Sequence, residues 1–84
     1  MIVSEALVMV EIRRVVELQL SAPRAIQPDD RLVDDLGLDS LTLTTLAVEL
    51  EDRFQIILSD EEATRIKTVG ELARCVAARA GAAS

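Results

Sequence analysis

Leu36-Gly37-Leu38-Asp39-Ser40-Leu41 marks a change in the character of the chain. Before it runs a polar stretch from Ser21, with Asp29, Asp30, Asp34, Asp35 and Asp39 against Arg24 and Arg31. After it, Leu43, Leu46, Ala47, Leu50 and Phe54 recur at helical spacing. The stretch therefore reads as a helix start. Gly37 permits a sharp backbone turn. A short side-chain oxygen on Asp39 or Ser40 can accept from an orphan amide of the new helix. Two readings of Ser40 follow. In one, Asp-Ser is only a capping pair. In the other, the hydroxyl projects from a positive helix N-terminus, where a phosphate is favoured.

Downstream, this second helix is expected from Ser40 to about Phe54, with Glu49, Glu51 and Asp52 on its exposed side. Leu41, at the exposed start, reads as a small apolar contact for whatever meets Ser40. Gln55 to Ser59, with Ile56, Ile57 and Leu58, is a buried loop, since a lone strand has no partner. Asp60-Glu61-Glu62-Ala63 opens a short third helix, with acids in its first turn, that ends by Lys67. Thr68-Val69-Gly70-Glu71 has the spacing of a capping box. The fourth helix presents Val69, Leu72, Ala73, Val76 and Ala80 inward, and Gly81 ends it, leaving Ala82 to Ser84 as a frayed tail.

Upstream, Ser4 caps a first helix that runs to about Leu20, with Val8, Ile12, Val15, Val16 and Leu20 on one stripe and Arg13, Arg14 and Glu17 largely opposite. Ser21-Ala22-Pro23 stops it. The long loop that follows is expected to be pinned to the core by Ile26, Leu32, Val33, Leu36 and Leu38, with Asp29, Asp30, Asp34 and Asp35 facing water. Those carboxylates read as a solvated loop or as weak cation ligands. The expected fold is all-α: one domain over residues 1–84, a small bundle of three main helices plus one short helix.

Composition narrows the chemistry. A single cysteine, Cys75, excludes an internal disulfide, and without histidine there is no Ser-His or Cys-His dyad and no Cys/His metal cluster. Cys75 sits one helical step off the apolar stripe and reads as an ordinary thiol. The glycines are isolated and build no phosphate cradle. Phe54 is the only aromatic, so stacking on nucleobases is not available, and a net charge of -6 repels nucleic acid and steers towards basic surfaces. No basic leader opens Met1 to Val10, and no apolar run approaches the ~18 residues of a membrane span, so the expected setting is the cytoplasm. Catalysis by this chain alone is not expected. A serine modified by another enzyme is the alternative.

The run Leu32-Val33-Asp34-Asp35-Leu36-Gly37-Leu38-Asp39-Ser40-Leu41 resembles the acyl carrier protein signature around the phosphopantetheine serine. Leu50-Glu51-Asp52-Arg53-Phe54, Ser59-Asp60-Glu61-Glu62-Ala63, Ile66-Lys67-Thr68-Val69 and Ile12-Arg13-Arg14-Val15-Val16 are similar to further blocks of that family, in order. The resemblance implies that a phosphopantetheinyl transferase attaches 4'-phosphopantetheine from coenzyme A to Ser40, and that the arm's thiol carries an acyl group as a thioester. It implies a monomer that docks on basic surfaces of loading, condensing or acyl-transferring enzymes. Asp39, Leu41, Thr42, Thr45, Val48, Glu49, Glu51 and Asp52 would be read by the transferase and later partners. Leu46, Ala47, Leu50, Ala63, Ile66 and Leu72 would shelter the acyl chain or serve as plain core.

Two departures matter. The family often has proline where Ser59 stands, and carriers of primary fatty acid synthesis usually have acids where Thr42 and Thr45 stand. Recognition should then lean on apolar and hydroxyl contacts, as expected of a carrier in polyketide or related natural-product assembly. The rivals are an aminoacyl or peptidyl carrier, whose signature more often has Gly-Gly-Asp/His/Asn before the serine, and an unmodified helical adaptor in which Ser40 only caps a helix.

Overall fold

In a computed structural model, which describes residues 3–21 and 25–83 (backbone alone at 82 and 83), the chain forms α1 (Glu5–Leu20), α2 (Ser40–Phe54), α3 (Asp60–Arg65) and α4 (Val69–Ala83). Each start has a cap. Ser4 Oγ accepts from the Leu7 amide at 3.1 Å. The Asp39 carboxylate accepts from the Thr42 amide, and Ser59 Oγ from the Glu62 amide. Thr68 and Glu71 close the expected box: the Glu71 amide donates to Thr68 Oγ1 at 3.1 Å and the Thr68 amide to Glu71 Oε1 at 3.0 Å. Helices this short are marginal alone and depend on packing of their apolar faces.

That packing is α1 against α4, α1 against α2, and a smaller contact between α2 and α4. Val8, Ile12, Val15 and Val16 of α1 meet Leu46 and Leu50 of α2 and Val69, Leu72, Ala73, Val76 and Ala80 of α4 in one core. The long loop contributes Leu32, Leu36 and Leu38, with Ile26 half-buried. The loop is held by backbone hydrogen bonds rather than by a partner strand. Leu32 donates to the Lys67 carbonyl, Val69 to Asp30 and Gly70 to Pro28, each at 2.9 Å, which sews the loop to the start of α4. Gly37 takes φ 71° and donates to the Val33 carbonyl, turning the chain towards α2.

Several expectations are corrected. Leu20 is exposed, since it is the last residue of α1 and the Ser21 backbone turns left-handed directly after it. Val33 faces outward between the buried Leu32 and Leu36. Ile57 is 80% exposed, because the link is non-helical and its side chains alternate: Ile56 is buried and Leu58 half-buried against the core, and Ile57 between them faces away. The third helix ends at Arg65, within the expected bound at Lys67. Gly81 does not end α4, which runs on to Ala83. Residues 22–24 of the expected helix stop, and Ser84 of the expected tail, lie outside the described residues. Of the loop carboxylates, Asp30 accepts from the Gln27 amide and Asp35 from the Arg31 amide. They shape turns as well as meeting water. No group of residues suited to a metal occurs among the described residues.

Glu11 is a further finding. It is buried on α1, takes a hydrogen bond from Arg14 Nε at 2.9 Å, and lies 3.8 Å from Arg53 on α2. Arg14 in turn approaches Glu49 of α2 at 4.0 Å. The Arg14 hydrogen bond holds the Glu11 carboxyl below its ordinary pKa, so a charged, paired carboxylate joins the two helices.

Candidate functional site

The site is built at the start of α2. Asp39 stands in extended backbone as N-cap, and its carboxylate accepts from the Thr42 amide at 2.9 Å. Thr42 Oγ1 accepts from the Asp39 amide at 2.8 Å. This reciprocal box occupies the two residues that flank the first turn and leaves Ser40 out of it. The Ser40 side chain is exposed, and no hydrogen bond engages its hydroxyl among the described residues. The Thr42 amide, with the other bonds to this side chain, holds the Asp39 carboxyl below its usual value. An anionic cap beside Ser40 offsets part of the helix-end field. The position therefore offers an available hydroxyl more than a ready-made phosphate cradle.

Ser40 also lines the mouth of a groove of about 720 Å³ between α2, α3 and the long loop. Leu46, Ala47, Ala63, Ile66 and Leu72 line it as expected. Leu50 does not: it is fully buried one turn beyond Leu46 and belongs to the core. The loop wall, Leu32 and Val33, and the residues Leu43, Thr44, Leu58 and Thr64 were not anticipated. Thr44 was findable, since it lies four residues after Ser40 on the same helix face. The loop wall was not, because a non-periodic segment gives no face.

The hydroxyls along α2 turn back on the helix. Thr44 Oγ1 donates to the Ser40 carbonyl at 2.8 Å and Thr45 Oγ1 to the Leu41 carbonyl at 2.9 Å. Their donors are spent, which leaves methyl groups and acceptor lone pairs for a partner. Thr42 is half-buried and committed to the cap. Leu41 is 74% exposed, and Val48 stands exposed at the lip between the groove and a shallow depression lined by Ile56 and Ile57. Glu49 and Asp52 are exposed further along. Glu51 is not part of that free acidic face: it is half-buried and accepts from the Leu58 amide at 2.9 Å, pinning the link to α3.

Beside the groove, Glu62 of α3 bonds to Arg79 of α4 and draws Cys75 Sγ to 3.5 Å. The Arg79 hydrogen bonds bring the Glu62 carboxyl down to about 2. Burial, then the Glu62 carboxylate, pushes the Cys75 thiol up, which makes it a poor nucleophile.

A helical bundle with an unengaged serine hydroxyl at the head of its second helix, opening onto an apolar groove, has the parts that a phosphopantetheine carrier needs. The comparisons carry the same class. A family described as "Phosphopantetheine attachment site" matches residues 10–76. An acyl carrier protein of Wolinella succinogenes is 40% identical over 67 residues, which span 79% of this chain and 88% of that protein. The acyl carrier protein of Thermotoga maritima shares the fold, with TM-score 0.84 at 18% identity over 95% of this chain and 94% of that one. The acetyl actinorhodin acyl carrier protein of Streptomyces coelicolor superposes with TM-score 0.71 at 26% identity, covering 90% of this chain and 93% of that one.

The chain belongs to the acyl carrier protein family. It is a carrier and not a catalyst, its cofactor is covalent 4'-phosphopantetheine, and it works with a phosphopantetheinyl transferase and with biosynthetic enzymes. No described helix is long and apolar enough to cross a membrane.

Proposed function

We propose that Ser40 is the attachment residue, and that this carrier serves a specialised, polyketide-like assembly rather than primary fatty acid synthesis. The observation that carries the attachment is the division of labour at the head of α2. Asp39 and Thr42 do the capping, so the Ser40 hydroxyl is left exposed and unbonded at the mouth of the groove. In the transfer, Ser40 Oγ bonds to the pantetheine phosphorus of coenzyme A, the phosphoanhydride bond to 3',5'-ADP breaks, and the hydroxyl proton is lost. When attached, the arm supplies the thiol that holds the acyl group. Leu46, Ala47, Ala63, Ile66 and Leu72 then offer that group an apolar shelter between visits to partners.

The pathway reading is supported by the front of α2. No acid lies in its first turn, and Leu41, the methyls of Thr44 and Thr45, and Val48 make an apolar strip. Glu49 and Asp52 follow one to two turns on. A matching enzyme would present an apolar rim at its entrance with cationic residues set back from it, the charges giving orientation and on-rate. The likeness to a carrier whose name ties it to actinorhodin and an acetyl load points the same way.

The test is intact mass after incubation with coenzyme A, magnesium and a broad-specificity phosphopantetheinyl transferase. One phosphopantetheine is expected on the wild type and none on Ser40→Ala. Equal gain on both proteins would move the attachment elsewhere. Additional mass on protein purified from its native host would identify the acyl load and so the pathway.

A further inference from the structure

α3 is held differently from the other helices. It has six residues, none of them buried, too few to be stable alone. It nevertheless forms one wall of the groove through Asp60, Ala63 and Thr64, with Ile66 directly after it. Its apolar anchors flank it: Ile56 and Leu58 before, Ile66 after. Within α3, Thr64 bonds back to Asp60 and Arg65 to Glu61.

Among the described residues, Glu62 is the α3 side chain that bonds to another helix. One carboxylate oxygen accepts from Arg79 Nε at 3.0 Å, and the other accepts from Arg79 Nη2. This is a two-point guanidinium–carboxylate contact, which fixes direction as well as distance. Ser59 Oγ, the cap of α3, donates to the same carboxylate at 3.1 Å and so ties the helix start to the contact. Both partners stay reachable from solvent, with Arg79 half-exposed.

We propose that the Glu62–Arg79 pair is a latch that holds α3 as the movable wall of the groove, and so sets how firmly the carrier retains an acyl chain. The proposal rests on the reading of the groove as the shelter for that chain. With the latch closed, Ala63 and Ile66 stay against the cargo. With it open, the wall is tethered by its flanks and by the weak Cys75 thiol contact to Glu62 at 3.5 Å, and the cargo side of the groove faces solvent or a docked enzyme. A partner that offers a carboxylate to Arg79, or a guanidinium to Glu62, would compete for the latch and draw the chain out on docking.

The test uses the full chain in two states. In the unmodified protein, amide hydrogen exchange is followed at Ala63 and Ile66, whose amides donate to Ser59 and Ala63. In the phosphopantetheinylated protein, cleavage by hydroxylamine is compared for an octanoyl and an acetyl thioester. Arg79→Gln and Glu62→Gln are expected to raise both the α3 exchange and the octanoyl cleavage rate about fivefold, the scale of one modest interaction. Acetyl cleavage is expected to be unchanged, and the double exchange Glu62→Arg with Arg79→Glu to restore both readouts.

The latch is overturned if the single variants leave α3 exchange unchanged, if exchange rises equally in α1, α2 and α4, or if the double exchange restores nothing. The two readings fail separately. Octanoyl and acetyl thioesters cleaved equally fast in the wild type would remove the shelter and the latch's role with it. A sheltered octanoyl chain that the single variants leave sheltered would remove the latch alone.

Discussion

Asp39 and Thr42 exchange amide-to-side-chain bonds in both directions, at 2.9 and 2.8 Å, and the Thr42 hydroxyl also donates to the Asp39 carboxylate at 2.9 Å. Ser40 lies between them and takes no part. Chemistry and stability are thus assigned to neighbouring residues. Ser40→Ala is expected to change stability by no more than about 0.5 kcal/mol, as for other exposed positions, while abolishing loading. Asp39→Ala and Thr42→Ala are each expected to lower Tm and to leave the loading hydroxyl in place. Because they break the same box, their effects should be less than additive in a double-mutant cycle. Asp39→Asn keeps a cap acceptor and should lose least. Thermal unfolding with intact-mass loading on the same samples checks the set.

A second prediction concerns acid. Arg79 and Ser59 hold Glu62 down to about 2 against 4.5 for a free glutamate. Amides of Lys67 and Thr68 lower Glu71, Arg14 lowers Glu11, and the Thr42 amide lowers Asp39. In each case the folded state prefers the charged form. Between the folded and unfolded values the unfolded chain binds more protons, so stability rises with pH there. Stability should be level above about pH 5 and fall progressively below, through the window that reaches down to about 2 for Glu62. Denaturant midpoints from pH 7 to 3 would show it. Glu62→Gln should flatten part of the slope, whereas a slope unchanged in that variant would remove Glu62 from the account.

The elements with repeated local signals were legible in the residues. The bounds of α2, the box at Thr68 and Glu71, and the inward positions Val69, Leu72, Ala73, Val76 and Ala80 of α4 follow from spacing and capping chemistry. The misses have a common origin. Leu20 continues the α1 stripe on paper, but a stripe buries only as far as a neighbour extends. Ile57 sits in an apolar triplet, and non-helical backbone sends the middle side chain to the other side. Glu51 looks like its exposed neighbours Glu49 and Asp52, yet it bonds an amide seven residues on, in the link to α3, which helical periodicity does not report. Ser40 itself was legible as a hydroxyl on a helix start. That it is spared from capping depends on Thr42 accepting the return bond, a matter of rotamer.

The separation of core from groove gives a third prediction. Leu50 is fully buried and does not line the groove, whereas Ala63 is exposed on its wall. Leu50→Ala should cost about 2–5 kcal/mol, the range for a core leucine that leaves a cavity. Ala63→Leu should be nearly neutral for stability and narrow the groove. Octanoyl thioester on the Ala63→Leu carrier is then expected to be cleaved faster by hydroxylamine than on the wild type, with the acetyl thioester unaffected. Equal effects of both substitutions on stability would contradict the assignment.

Gly70 and Gly81 both lie in α4, and replacing each by alanine should act in opposite directions. Alanine is favoured over glycine inside a helix by about 1 kcal/mol. At Gly81 an added Cβ meets nothing within 4 Å, so Gly81→Ala should raise stability, by less than that full amount because the helix end is near. At Gly70 the same Cβ would stand 3.0 Å from the Pro28 carbonyl oxygen and 3.3 Å from its Cβ. That carbonyl accepts the Gly70 amide at 2.9 Å, in one of the bonds that sew the long loop to α4. The loop has to retreat to make room, and with it the wall that carries Leu32 and Val33 beside Ser40. Gly70→Ala is therefore expected to lower the denaturant midpoint despite its better helix propensity, and to raise amide exchange at Leu32, Val69 and residue 70. A midpoint that rises for both variants would show that the loop yields without cost and that its backbone bonds do not hold the groove wall in place.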